Sequence, residues 1–150
     1  MKIRKGFVSN SSSSSFICDN KSNLTIEQVK KILVNIFELA TDAETIKTED
    51  NKHRGFPNRF EDMFQEPFII KDLTEKYVEY EDVINYIDMI WNWKRAYKND
   101  FNDPFKYAGI KNKKDFIGKL IINSTSDNTI PYEFFDFIKN TFDGERVHLG

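Results

Sequence analysis

The chain has 150 residues, a formal net charge of −2 and 22 aromatic residues, 14 of which are Phe. A chain of this length and apolar content can bury one complete core without disulfides or a metal, which excludes general disorder and predicts a single domain over residues 1–150. The charge gives no general attraction to nucleic acid or to an anionic membrane, so we expect neither as a partner.

The N-terminal part predicts two short strands around a polar loop, followed by a long helix. Apolar and basic residues alternate over 2–8, which is typical of a strand. The small polar residues over 10–15 then predict a loop, and the apolar triplet 16–18 predicts a second strand. Thr25 and Gln28 have the spacing of a capping box at the start of an amphipathic helix.

The middle of the chain predicts a short helix over 56–64 and a strand over 68–70. The segment 77–80 is compatible with a strand or with the start of a helix. A second long helix is expected over 81–99, where aromatic side chains widen the apolar stripe. A stripe this wide either fills the core or also contacts a partner protein. Residues 101–107 are expected to form a loop.

The tail predicts a strand, a helix and a last strand. The first strand covers 119–122, a second polar loop covers 123–128, and Thr129 caps a helix that ends at the turn 143–144, before a strand over 146–149. A helix of this length fits a right-handed crossover between parallel strands. The expected fold is therefore α+β, with a small sheet formed by the N-terminal strands and the C-terminal β-α-β tail and covered by two long helices.

The single cysteine, Cys18, lies in the apolar triplet, and we interpret it as an unreactive core residue in a reducing, cytoplasmic compartment. No apolar run is long enough for a membrane helix, and no secretory signal pattern is present. One cysteine and two histidines do not give a zinc-binding spacing, so no metal and no cofactor are expected. No catalytic set is recognisable either.

The first polar loop is a candidate site for an anion or a phosphate group. Consecutive small polar residues present backbone N–H groups and hydroxyls, which together can surround an anion. The alternative is a structural loop whose serines bond to their own backbone, and the lack of glycine in the serine run argues against a P-loop. The candidate ligand-binding residues in this part are Arg4, Ser9, Asn10, Ser11, Ser12 and Ser13.

The second polar loop is a candidate because it follows a strand and leads into a helix, the place where α/β units bind ligands. Its candidate residues are Ser124, Ser126, Asp127 and Asn128. The charge of Asp127 repels an anion but suits a sugar hydroxyl or a metal-bound water. The alternative is that these residues only cap the helix and turn the chain.

We predict that both loops lie on the same side of one sheet, within reach of a common ligand. Lys2, Arg4 and Lys5 would then offset the charge of Asp127. A mixed site of this kind suits a nucleotide or a sugar phosphate.

The strings at the two ends resemble a signature of small uncharacterised bacterial and phage proteins. The first is GFVSNSSSSSF, from Gly6 to Phe16, and the second is SxSDNxIPY, from Ser124 to Tyr132, with the ending HLG. The resemblance implies a phage or mobile-element setting and implies that both ends belong to one structural unit. It implies no catalytic residue.

Three functional hypotheses follow. The leading one is a non-enzymatic accessory protein that binds a polar or phosphate-bearing ligand at the two loops. The second is a protein-interaction module, or an inhibitor of a host protein, that acts through the aromatic helix over 81–99. The third is a nucleotide-processing enzyme, which would need convergent carboxylates with a metal.

Overall fold

The computed structural model describes residues 13–42, 64–74, 83–124 and 132–149, so the predicted strand over 2–8, most of the predicted helix over 56–64 and the segment 77–80 lie outside the described residues. The elements in chain order are β1 (Ser14–Asp19), α1 (Ile26–Asp42), β2 (Phe68–Ile69), α2 (Val83–Asn92), α3 (Pro104–Tyr107), β3 (Lys119–Ser124), α4 (Tyr132–Phe142) and β4 (Gly144–His148). Short 3-10 helices cover Trp93–Tyr97 and Lys113–Phe116. The α+β class is confirmed.

The four strands form one sheet in the order β2-β3-β1-β4. β1 pairs antiparallel with both β3 and β4, and β2 pairs antiparallel with β3. The strands joined by α4 therefore run in the same direction, as the crossover prediction requires, but β1 lies between them. Since β1 bonds to β3 at one edge and to β4 at the other, it joins the two strands of the tail in one sheet.

The sheet is the middle of three layers because both of its faces are covered. On one face, Phe16, Cys18 and Ile122 pack with buried residues of α1 and α4. On the other face, Ile17 and Ile121 pack with α2 and with the segment that precedes β3. Strands buried on both faces have continuous apolar runs instead of alternation, which explains the run over 119–122.

The capping box at the start of α1 is confirmed. Gln28 N–H donates to Thr25 Oγ1 at 3.2 Å, and Thr25 N–H donates to Gln28 Oε1 at 2.9 Å. The helix then buries Val29, Leu33 and Phe37 in the core. Its direction relative to β1 is thus fixed both by the cap and by one apolar stripe.

Of two predictions for the region from α2 to β3, one is only partly right and the other is wrong. The expected helix over 81–99 ends as an α-helix at Asn92 and tightens into the 3-10 helix, which stops where Asn99 adopts a left-handed φ of 67°. The expected loop over 101–107 contains α3, because Asp103 caps it by accepting from Phe105 N–H at 2.9 Å and Pro104 takes its first turn.

Candidate polar site at one end of the sheet

The serine run and the second polar run meet at one end of the sheet. Ser14 of β1 lies opposite Ser124 of β3 and opposite His148 of β4, and Ser15 lies opposite Asn123. The prediction that these residues form loops is wrong for both pairs, since they lie inside strands. The physical reason is that the backbone of β1 bonds to a neighbour on each side, which outweighs the weak strand propensity of serine and asparagine.

Two of the residues predicted to bind a ligand fall within the described residues, and the structure brings them together. Ser13 directly precedes β1, and Ser124 is the last residue of β3. The remaining predicted residues lie outside the described residues: Arg4, Ser9, Asn10, Ser11, Ser12, Ser126, Asp127 and Asn128. The chain therefore enters both predicted loops from the same end of the sheet.

This end of the sheet is buried although it is built of polar residues. Five side chains there are 0% exposed, and they are the buried polar residues of the described part of the chain. We call this set the polar end: Ser13, Ser14, Ser15, Asn123 and Ser124. Buried polar atoms need hydrogen-bond partners, because an unpaired one loses its hydration without compensation.

On the face covered by α1 and α4, the polar end is paired and carries a cation. Ser14 N–H donates to Ser124 Oγ at 3.1 Å, and Ser124 Oγ lies 3.3 Å from the Ser14 carbonyl. Arg146 Nε donates to Ser14 Oγ at 2.8 Å. The Arg146 guanidinium also lies 4.3 Å from the centre of the Phe135 ring, an arrangement that fixes its position.

On the opposite face the hydrogen bonds extend towards α2. Ser15 Oγ donates to Asn123 Oδ1. Gln65 N–H donates to the Asn123 carbonyl at 3.0 Å, and the Tyr86 hydroxyl donates to Gln65 Oε1 at 2.6 Å. The position of Asn123 is thus set by its strand, by Ser15 and by Gln65.

Two polar atoms of this end have no hydrogen-bond partner in the part of the chain that the structure describes. They are Ser13 Oγ and Asn123 Nδ2, both in side chains that are completely buried. Each unsatisfied buried group costs about 1–3 kcal/mol. The Ser13 carbonyl, in contrast, accepts from Leu149 N–H at 2.8 Å, so the backbone there is held in place. The cluster therefore contains two buried polar groups with unused hydrogen-bonding capacity.

Sequence reasoning missed the roles of Ser14, Ser15, Asn123 and Arg146. The first three lie in runs that it assigned to loops, and only the strand register shows that they face each other. Arg146 carried the one usable signal, because it is a cation at the start of an apolar strand. Its contact with Ser14 joins residues 132 positions apart.

The described residues also include the other groups that the sequence analysis singled out. Within the described ranges no group of three His, Cys, Asp or Glu side chains is placed to hold a metal, and no helix is long and apolar enough to span a membrane. Burial raises the pKa of the Cys18 thiol far above its usual range, with a further contribution from Asp19. Tyr86 is buried, and Trp91 and Trp93 pack partly against the core.

No protein-family model, no curated protein and no solved structure matches this chain.

Proposed function

We propose that the polar end binds a small polar or phosphate-bearing ligand, such as a nucleotide or a sugar phosphate, without chemical change to it. The observation that carries the proposal is the pair of buried, unpartnered atoms Ser13 Oγ and Asn123 Nδ2. A ligand oxygen that accepts from both would remove the cost of burying them. A site that gains its last hydrogen bonds from a ligand is expected to be unsatisfied without it.

The charge at this end supports a phosphate group. Arg146 lies on the other face of the sheet from Asn123, with its Nε 2.8 Å from Ser14 Oγ and its guanidinium against the Phe135 ring. One ligand would therefore reach both groups around the end of the strands. A guanidinium fixed in this way binds phosphate oxygens at little further entropic cost. Arg4 and Asp127 belong to the proposed site on the sequence pattern alone, because they lie outside the described residues.

Titration with nucleoside monophosphates and sugar phosphates, followed by calorimetry, tests the proposal. Ser13→Ala removes a donor that has no partner, so the free energy of unfolding should not fall, while the ligand affinity should fall about fivefold or more. Arg146→Gln should weaken binding of phosphate-bearing ligands more than binding of the matching unphosphorylated sugars.

Ser22→Ala is a matched control because Ser22 is exposed beyond the other end of β1. It should alter neither stability nor binding. If Ser13→Ala, Arg146→Gln and the unchanged protein all bind the ligand with the same affinity, the polar end is not the ligand-binding site.

The proposed setting follows from the resemblance of both chain ends to small phage and bacterial proteins. In that setting the protein would be a cytoplasmic accessory protein of a phage or mobile element, and binding would adapt a host process or interfere with it. Separate expression of the unchanged chain and of the Ser13→Ala variant in a bacterial host tests this. The proposal expects the unchanged chain to alter host growth and the variant to leave it unaltered.

A further inference from the structure

A concave surface lies where α2 passes into the 3-10 helix. It encloses about 310 Å³ and is lined by Trp91, Asn92, Lys94, Arg95 and Lys98. We call it the basic groove. Three of its five lining residues are cationic and one is an indole, whereas the whole chain has a net charge of −2. The groove is thus opposite in sign to the protein that carries it.

No carboxylate in the described part of the chain pairs with these three cations. The nearest acids in sequence have other contacts: Asp88 pairs with Lys113, and Asp100 accepts from Asn102 N–H at 3.0 Å. Lys94 Nζ instead lies 5.8 Å from the centre of the Trp91 ring. Cations that have no internal partner and line one concave surface attract an anion from solution.

We propose that the basic groove binds a nucleoside phosphate. Lys94, Arg95 and Lys98 would contact the phosphate oxygens, and Arg95 supplies the planar donor set that matches them. The indole of Trp91 is held at its edge by Phe116, with ring centres 6.4 Å apart and planes at 78°. The Trp91 indole offers a fixed planar surface on which a base would take the place of the Lys94 ammonium. The Asn92 amide offers both a donor and an acceptor to the edge of that base.

The size and composition of the groove favour this ligand over an acidic protein segment or a nucleic acid. Its volume lies at the small end of the range for small-molecule sites. A protein segment would need a longer surface, and the negative net charge of the chain opposes a polyanion that extends beyond the groove. This inference does not depend on the polar end, because the two sites share no residue.

Calorimetric titration of the full chain with adenosine triphosphate, adenosine and pyrophosphate tests the proposal. We expect the triphosphate to bind at least about tenfold more tightly than either of its parts. The triple variant Lys94→Gln, Arg95→Gln, Lys98→Gln should lose at least about tenfold in affinity, and raised salt should weaken binding of the unchanged protein. In a Trp93→Phe background, binding should change the fluorescence of Trp91, the remaining tryptophan.

The matched control removes the same charge elsewhere, through Lys106→Gln, Lys111→Gln and Lys114→Gln, since these side chains are exposed and line no part of the groove. It should leave the affinity within about twofold. An equal loss in the control would show general charge attraction and overturn the proposal. Tighter binding of an acidic peptide or a single-stranded oligonucleotide than of the triphosphate would also overturn it. The proposal fails as well if the triphosphate does not bind to the unchanged chain and the groove variants only lower the melting temperature. Ser13→Ala should leave this affinity unchanged, which separates the groove from the polar end.

Discussion

Two buried parts of β1 and β3 are chemically opposite. In one half, Phe16, Ile17 and Ile121 are no more than 1% exposed and belong to the two apolar core clusters. In the other half, Ser15 and Asn123 are 0% exposed and depend on hydrogen bonds. Burial in this sheet therefore does not follow hydrophobicity. The apolar half gains stability from burial, whereas the polar half must recover the hydration that it loses.

The largest effect that sharpens this comparison is expected in the apolar half. Phe16 is completely buried, with its ring 5.7 Å from that of Phe135. Phe16→Ala should lower the free energy of unfolding by about 3–5 kcal/mol, as measured by urea denaturation. Phe101→Ala is the control, because Phe101 is 87% exposed and should change stability by no more than about 0.5 kcal/mol. Equal costs for the two substitutions would contradict the assignment of Phe16 to the core.

A second prediction concerns the tight contact between β4 and β1. A Cβ added to Gly144 would lie 2.6 Å from Cys18 Sγ, closer than van der Waals contact permits. Gly144→Ala should therefore destabilise the protein by about 1–3 kcal/mol. Adding Cys18→Ala should restore part of this loss, since the second change removes the sulfur that the new methyl group meets. If the changes in free energy of unfolding for Gly144→Ala and Cys18→Ala simply add in the double variant, Gly144 is needed for a reason other than this contact.

The polar half predicts a difference between two neighbouring serines. Ser15→Ala leaves Asn123 Oδ1 without the hydroxyl that donates to it and should cost about 1–3 kcal/mol. Ser13→Ala removes an atom that has no partner and should cost nothing or stabilise slightly. Thermal unfolding of both variants without added ligand measures this. A large cost for Ser13→Ala would mean that its hydroxyl is satisfied in the free protein and would weaken the ligand proposal.

Sequence patterns predicted what depends on local structure and missed what depends on pairing. The capping box of Thr25 and the apolar strand over 119–122 follow from spacing alone, and so does the α+β class. The extension of β1 through Ser14 could not be predicted, because serine favours turns and only two neighbouring strands keep it extended. For the candidate site, spacing identified both polar runs. The contact between Ser14 and Arg146 depends on a register that no local pattern contains.

The smallest effect is expected from a charge beside the apolar half. Glu145 of β4 lies opposite Ile17, and partial burial raises its pKa, with Asp143 adding to the rise and Lys139 opposing it. A raised pKa means that the folded protein favours the protonated form of this carboxyl. The ionised carboxylate is therefore destabilising at neutral pH. This penalty disappears as the pH falls through the raised pKa and then through the ordinary pKa of Glu. Glu145→Gln should therefore stabilise the protein at pH 7, by no more than about 0.5 kcal/mol, and the gain should vanish in acid.

Asp115 provides the opposite case for the same measurement. Backbone N–H groups of Asn112 and Lys111 donate to its carboxylate and lower its pKa. Asp115→Asn should thus destabilise the protein at neutral pH, and its difference from the unchanged chain should shrink as the pH falls through the lowered pKa. Denaturant midpoints of both variants and of the unchanged chain, measured between about pH 3 and 7, show how each stability difference changes with pH. If the stability differences of the two variants change with pH in the same direction, burial beside Ile17 does not determine the pKa of Glu145. The apolar half would then tolerate a charge as readily as the segment around Asp115 does.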